Sequence, residues 1–249
     1  MTKVQNKKVV KKTINKADLA AFSKPKNTKE NTLSMMLKST AENNETDKKV
    51  LSDLREGKKA AKQELFGEIK EKGQEQTDLK TPFILIFATT LNGEKELIPR
   101  EELFGLLKGC LAVKAKVMVI DSQQPSDINN LGELGEKHEG HVIWYNPDTD
   151  NSGKGREEKE IDRLLLAADM AIVFSEQMDL IKLLLSYGVI LIAGEKSPFL
   201  ENYKPNEETG NAFLFKKLNS WSVYASLVRA LETFKFPYDW GNIVRKVYK

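Results

Sequence analysis

The chain has 249 residues, of which 40% are hydrophobic and 30% charged, and this length allows one large domain or two small ones. No apolar run approaches the ~18 residues of a membrane-spanning helix, and no apolar segment follows the basic N-terminus as in a secretory signal, so we expect a cytoplasmic protein without a membrane partner. A single cysteine, Cys110, excludes an internal disulfide and a zinc site built from cysteines.

Residues 1–46 have the composition of a basic arm. Residues 1–29 carry nine lysines and one aspartate, and the whole segment is poor in apolar side chains. Such a segment cannot bury enough surface to offset the entropy of ordering, so we expect it to be disordered. Its charge favours an interaction with nucleic acid or another polyanion, and the alternative is a solvated tail.

Residues 47–81 predict a helix followed by a linker. Asp47 can cap the first turn, and apolar residues then recur near one face. The sequence leaves open whether this helix lies on the surface of the folded body or pairs with a partner protein. From Gly73 to Thr81 the chain is polar, as in a linker.

Residues 82–249 alternate between strand and helix patterns. The strand segments are apolar throughout, which is typical of a parallel sheet covered on both faces. The predicted strands are 83–87, 115–120, 141–145, 171–174, 189–193 and 212–215. Helical patterns separate most of them, so the sequence predicts a doubly wound, Rossmann-like α/β domain.

The clearest part of this pattern is a strand–helix–strand unit around Gly188. This glycine stands where a helix needs a left-handed terminating residue, just before the apolar run at 189–193. Ligands of parallel sheets bind at the carboxyl ends of the strands. We therefore expect chemistry at Ser175–Asp179 and Gly194–Pro198. The two histidines, His138 and His141, lack a carboxylate–histidine pattern, and we assign no metal ligand.

Several segments of residues 82–249 are similar to segments of glycogen and starch synthases. Phe87–Leu107 resembles the strand, phosphate loop and helix of that family, and Leu166–Ser175 (LAADMAIVFS) resembles its AGADIFLMPS segment. Glu201–Phe215 is similar to the insertion that follows its Gly-Gly loop. The resemblance implies the C-terminal, nucleotide-sugar-binding half of a GT-B glycosyltransferase. It also implies an ADP- or UDP-sugar ligand and, where activity is retained, hexosyl transfer.

The resemblance also implies a site, from which this chain departs in three places. The family's phosphate-binding arginine falls at Thr90, whereas Lys95 falls on its lysine. Of its two glutamates, the second falls at Leu183 and the first in a shortened segment. Residues 195–198 replace its Gly-Gly loop, and a glutamate there would repel a diphosphate. The positions that would line the nucleotide-sugar site are Thr90, Lys95, Ser175, Glu195, Lys196 and Ser197.

These departures favour a catalytically degenerate domain that serves as a nucleotide-sugar-binding or protein-interaction scaffold, and we assign no catalytic residue. A second hypothesis is an active glycosyltransferase subunit that uses ADP- or UDP-glucose with an acceptor domain from another chain, because the resemblance does not extend to the N-terminal half of the GT-B fold. A third is polyanion binding through residues 1–29.

Overall fold

A computed structural model of the chain describes residues 44–68, 79–89, 95–121, 141–145, 158–174, 178–197 and 199–247. The basic arm up to residue 43 lies outside these residues, and so does the segment 127–138, where the sequence pattern also predicts a short helix. Within the described ranges, no helix is both long and apolar enough to cross a membrane.

The described strands form one parallel sheet in the order β3-β2-β1-β4-β5-β6. They are β1 (Phe83–Phe87), β2 (Lys116–Ile120), β3 (Val142–Tyr145), β4 (Met170–Val173), β5 (Ile190–Gly194) and β6 (Ala212–Phe215). Each predicted strand is present with its ends shifted by at most one residue, and the doubly wound α/β prediction is confirmed. The chain winds outward on one side of β1 and then crosses to β4 on the other side, so the order reverses between these two strands.

Helices cover both faces of the sheet, which explains why its strands are apolar throughout. They are α1 (Asn44–Glu68), α2 (Arg100–Ala112), α3 (Glu158–Ala167), α4 (Met178–Ser186), α5 (Ser220–Phe234) and α6 (Pro237–Val247). Alternate strand residues enter two separate hydrophobic clusters. Side chains of α2, α5 and α6 complete one cluster, and side chains of α3 and α4 complete the other.

Helix α1 belongs to the folded body. It begins at Asn44, three residues before the predicted start, and packs on α3 and α6. Leu54 enters one hydrophobic cluster, whereas Leu65 and Phe66 enter the other. The Phe66 ring meets Phe83 of β1 edge-on, with 5.3 Å between the ring centroids. The sequence had left a surface helix and a partner-binding helix open, and the structure places this face of α1 in the core.

A buried ion pair adds to the attachment of α1. The ammonium of Lys62 hydrogen-bonds the carboxylate of Asp169, which lies directly before β4, and both residues are buried. The same carboxylate accepts a hydrogen bond from the backbone N–H of Phe83 at 2.8 Å. Asp169 therefore joins α1 to the amino-terminal ends of β1 and β4.

The turn between α4 and β5 has the predicted geometry. Gly188 has a φ of +64°, a conformation that costs little without a Cβ atom. Its N–H donates to the carbonyl of Leu185 at 2.9 Å, which closes the end of the helix. The chain can then enter β5 at once.

Candidate functional site

The carboxyl-terminal edge of the sheet collects polar residues that are distant in sequence. The strand order reverses between β1 and β4, and the carboxyl ends of the strands at such a reversal are the usual ligand position in open α/β sheets. Thr89, two residues after β1, is buried, and so is Asp121 immediately after β2. Helices α2 and α5 both begin at the same edge, because each follows the end of a strand.

The charged centre of this edge is the ion pair between Arg100 and Asp121. Arg100 is the first residue of α2, and both of its terminal nitrogens reach the Asp121 carboxylate, one of them at 3.1 Å. The Arg100 side chain is 12% exposed and that of Asp121 is 1% exposed. Glu96 approaches the Nε atom of Arg100 at 3.4 Å, with a side chain that is 40% exposed. Two carboxylates of the chain thus neutralise the arginine at the start of α2.

The start of α5 is also occupied by groups of the chain itself. The Asn219 side chain accepts a hydrogen bond from the N–H of Ser222 at 2.8 Å and caps the helix. The N–H of Ser220 donates to the carboxylate of Glu102 on α2, and this bond lowers the pKa of Glu102. A carboxylate of the protein therefore lies where a helix start would otherwise bind an external anion.

The turn after β5 brings together three of the predicted site residues. The N–H of Glu195 donates to the carbonyl of Phe215 at 3.1 Å, so this turn lies beside the end of β6. Glu195 and Lys196 are exposed, whereas Ser197 is buried. The Ser197 hydroxyl oxygen has no hydrogen-bond partner among the described residues. Two exposed lysines, 216 and 217, follow β6 and place further positive charge beside this turn.

The other predicted site residues are not brought to this turn by the described structure. Lys95 is exposed and precedes Glu96, which forms a β-bridge with Thr89. The N–H of Leu97 donates to the carbonyl of Ala88 at 2.8 Å, so Lys95 lies in the loop that returns to the end of β1. Thr90 and Ser175 lie outside the described residues.

Comparisons with known proteins agree with this architecture at the level of fold. No protein-family model and no curated protein matches the chain. Among solved structures, the catalytic domain of starch synthase IV from Arabidopsis thaliana, bound to ADP and acarbose, matches with a TM-score of 0.54. The two are 16% identical over 80% of this chain and 40% of that chain. The chain therefore has a Rossmann-like α/β fold of the kind found in GT-B glycosyltransferases.

Two further GT-B glycosyltransferases match less closely. WaaG, which is involved in lipopolysaccharide biosynthesis, is 14% identical over 76% of this chain and 45% of its own, with a TM-score of 0.48. TarM from S. aureus, in complex with UDP among other ligands, is 12% identical over 72% of this chain and 34% of its own, with a TM-score of 0.46. The chain thus spans less than half of the length of each of these structures.

The contacts at the carboxyl edge also include charged residues that the sequence did not predict as part of the site. Arg100, Glu102 and Asp121 were not among the predicted site residues, although they hold the charges at the starts of α2 and α5. A signal was present for Asp121, because it directly follows a predicted strand in a parallel sheet. No comparable signal marked Arg100, which reads as an ordinary polar residue at the start of an amphipathic helix.

Proposed function

We propose that this chain is a glycogen/starch synthase-like, GT-B-type domain that does not transfer sugar and acts as a scaffold for a nucleotide sugar or a partner protein. The proposal is supported by one feature above all: carboxylates of the chain already pair with the arginine at the start of α2 and with a backbone N–H at the start of α5. The relevant pairs are Arg100 with Asp121, Arg100 with Glu96, and the Ser220 N–H with Glu102.

The argument rests on the needs of glycosyl transfer from a nucleotide sugar. The diphosphate leaving group must be stabilised by cations or N–H donors that are in place before the reaction. Here the arginine at the start of α2 would have to exchange a buried carboxylate for the ligand. An exchange of this kind loses the pre-organisation on which electrostatic catalysis depends. The exposed carboxylate of Glu195 adds a negative charge near the end of β5, and this charge would repel a diphosphate.

A transfer assay with the full chain tests this proposal. We expect no glucose transfer from ADP-glucose or UDP-glucose to a glucan acceptor, because the arginine at the start of α2 is already paired with Asp121 and could stabilise the leaving group only if that pair broke. An active starch synthase assayed in parallel controls for substrate quality. Measurable transfer by this chain alone would contradict the proposal.

A second candidate is an active subunit that takes its acceptor domain from another chain. It is favoured by the unsatisfied Ser197 hydroxyl and by the lysines at 196, 216 and 217, which could together bind a phosphate. Thermal shift with ADP, UDP and their glucose conjugates tests whether the chain retains the nucleotide site that this candidate requires. A stabilisation lost in Lys95→Ala or Ser197→Ala, but kept in Lys49→Ala on α1, would support a retained nucleotide site. No shift at millimolar ligand would leave the protein-interaction scaffold.

A further inference from the structure

A second concave site lies at the opposite, amino-terminal edge of the sheet. It is a cleft of about 740 Å³ between α1, the end of α5, α6 and the residue that precedes β4. This volume lies in the range of pockets that hold small organic ligands. The described residues that line it are Leu51, Leu54, Arg55, Lys58, Lys59, Lys62, Leu79, Lys80, Asp169, Phe234, Pro237, Trp240, Gly241 and Val244.

One wall of this amino-edge cleft is a cationic stripe on α1. Arg55, Lys58, Lys59 and Lys62 follow each other at spacings of three, one and three residues, which places them on one side of the helix. Like charges at these spacings destabilise a helix. Lys80 adds a fifth cation. Among the described lining residues the stripe faces one carboxylate, Asp169, which already pairs with Lys62.

Lys58 belongs to this stripe and contacts backbone carbonyls at the end of α3. Its ammonium donates to the carbonyl of Ala168 at 2.5 Å and approaches that of Leu166 at 3.4 Å. Burial lowers the pKa of Lys58 from 10.5 to about 8, against the opposing effect of Asp169. A further anion in the cleft would favour the protonated form of this group.

The other wall of the cleft is apolar. Phe234 and Trp240 meet edge-on with 5.0 Å between their ring centroids, and Pro237 and Val244 extend the surface. Gly241 interrupts this apolar surface beside the cationic stripe. A Cβ atom at this position would lie 3.1 Å from the Arg55 guanidinium. The cleft therefore offers charge on one side and hydrophobic surface on the other.

We propose that the amino-edge cleft binds a small amphipathic anion, in which a phosphate or carboxylate head faces the α1 cations and an aromatic or aliphatic body lies on Trp240 and its neighbours. The charge of the lining residues selects an anion, and the apolar wall selects a ligand with a hydrophobic body. This site lies at the amino-terminal edge of the sheet, opposite the carboxyl-terminal edge to which the proposed function refers. The two proposals are therefore independent of each other.

Calorimetric titration of the full chain with matched probes tests the proposal. We expect 1-naphthyl phosphate or 1-naphthoate to bind, because each has an anionic head and an aromatic body. Inorganic phosphate has only the anionic head and 1-naphthol only the aromatic body, so each should bind at least about tenfold more weakly. A preference between the two anionic probes identifies the head group. The Lys58→Met/Lys59→Met double variant should weaken binding by about tenfold or more, because two cations are lost. Lys108→Met/Lys182→Met, at exposed positions of α2 and α4 outside the cleft, is the matched control and should bind as the parent does.

The pH dependence provides a second readout. The charged groups around Lys58 are Asp169, Lys62, Arg55, Lys59 and Lys80. As pH rises through about 8, Lys58 loses its proton and probe affinity should fall, and this fall should be absent in Lys58→Met. The proposal is overturned if both anionic probes fail to bind at millimolar concentration. It is also overturned if inorganic phosphate or 1-naphthol binds as tightly as the anionic naphthyl probes. Equal probe affinity in the two double variants would overturn it as well.

Discussion

At the scale of single residues, Arg100 and Asp121 illustrate how one structural contact changes the interpretation of a site. An arginine at the start of a helix in a Rossmann-like fold is placed to bind phosphate. In this chain its charge is instead taken by a buried aspartate from the neighbouring strand end. The pair joins the start of α2 to the end of β2 and neutralises a cation at the edge where we propose that a nucleotide sugar could bind.

This pairing predicts unequal effects for the two carboxylates that face Arg100. Asp121→Ala leaves a mostly buried guanidinium without its main counter-charge, so it should lower the free energy of unfolding by about 3–5 kcal/mol. Glu96→Gln removes a partner that is 40% exposed, and the expected change is within about 1 kcal/mol. Urea denaturation of the two variants measures both values. Equal losses would show that Asp121 is not the dominant partner.

At the scale of secondary-structure elements, glycines set the distance between α2 and α5. Gly105 and Gly109 are one helical turn apart on α2 and both face α5. A Cβ atom at Gly109 would lie 2.6 Å from the Tyr224 ring, and one at Gly105 would lie 3.1 Å from the Ser220 side chain. The absence of side chains at both positions lets the helices pack closely, and this close packing also brings Glu102 to the start of α5.

The contrast between two helix glycines tests this interpretation. Gly109→Ala should destabilise the protein, because the ~1–3 kcal/mol cost of overpacking exceeds the ~1 kcal/mol gained in helix propensity. Gly57→Ala on α1 should instead stabilise it by about 0.5–1 kcal/mol, since the new methyl meets Leu166 at an ordinary 3.6 Å. Thermal unfolding of both variants gives the signs directly. A stabilised Gly109→Ala would mean that Tyr224 moves aside without cost.

At the scale of the whole molecule, α1 and residues 79–247 form one folded unit. The helix buries Leu54, Ala61, Leu65 and Phe66 in the two hydrophobic clusters. It also supplies Lys62, the buried partner of Asp169. Each large buried side chain contributes about 1.5–3 kcal/mol, so together these groups account for a substantial part of a typical domain stability of ~5–15 kcal/mol.

Two truncations test the role of α1. A chain that begins at residue 79 should lose cooperative unfolding, because Asp169 and the apolar surfaces under α1 become exposed. A chain that begins at residue 44 retains every described contact and should keep the unfolding temperature of the full chain. The truncation that begins at residue 44 also tests polyanion binding through residues 1–29, which stays a prediction. We expect the full chain to bind a polyanion with an affinity that falls with salt, and this truncated chain not to bind it. A stable fold in the first truncation would make α1 dispensable.

Much of the fold could be predicted from the sequence because its signals are local. Continuous apolar runs separated by helical patterns identified the parallel sheet, and Gly188 marked the turn into β5. The single cysteine, Cys110, is buried, and burial raises the pKa of its thiol to about 12. The expectation of ligand chemistry at the strand ends likewise needs only the rule for parallel sheets.

Only the tertiary structure decided the strand order, the position of α1 and the charges that meet at each edge of the sheet. Lys62 and Asp169 are 107 residues apart in the chain, and Glu102 and Ser220 are 118 apart. No local periodicity encodes such pairings, because they depend on how the crossovers arrange the strands. The amino-edge cleft has the same origin: its cations belong to one helix, but its apolar wall comes from the end of the chain, and the fold alone brings the two together.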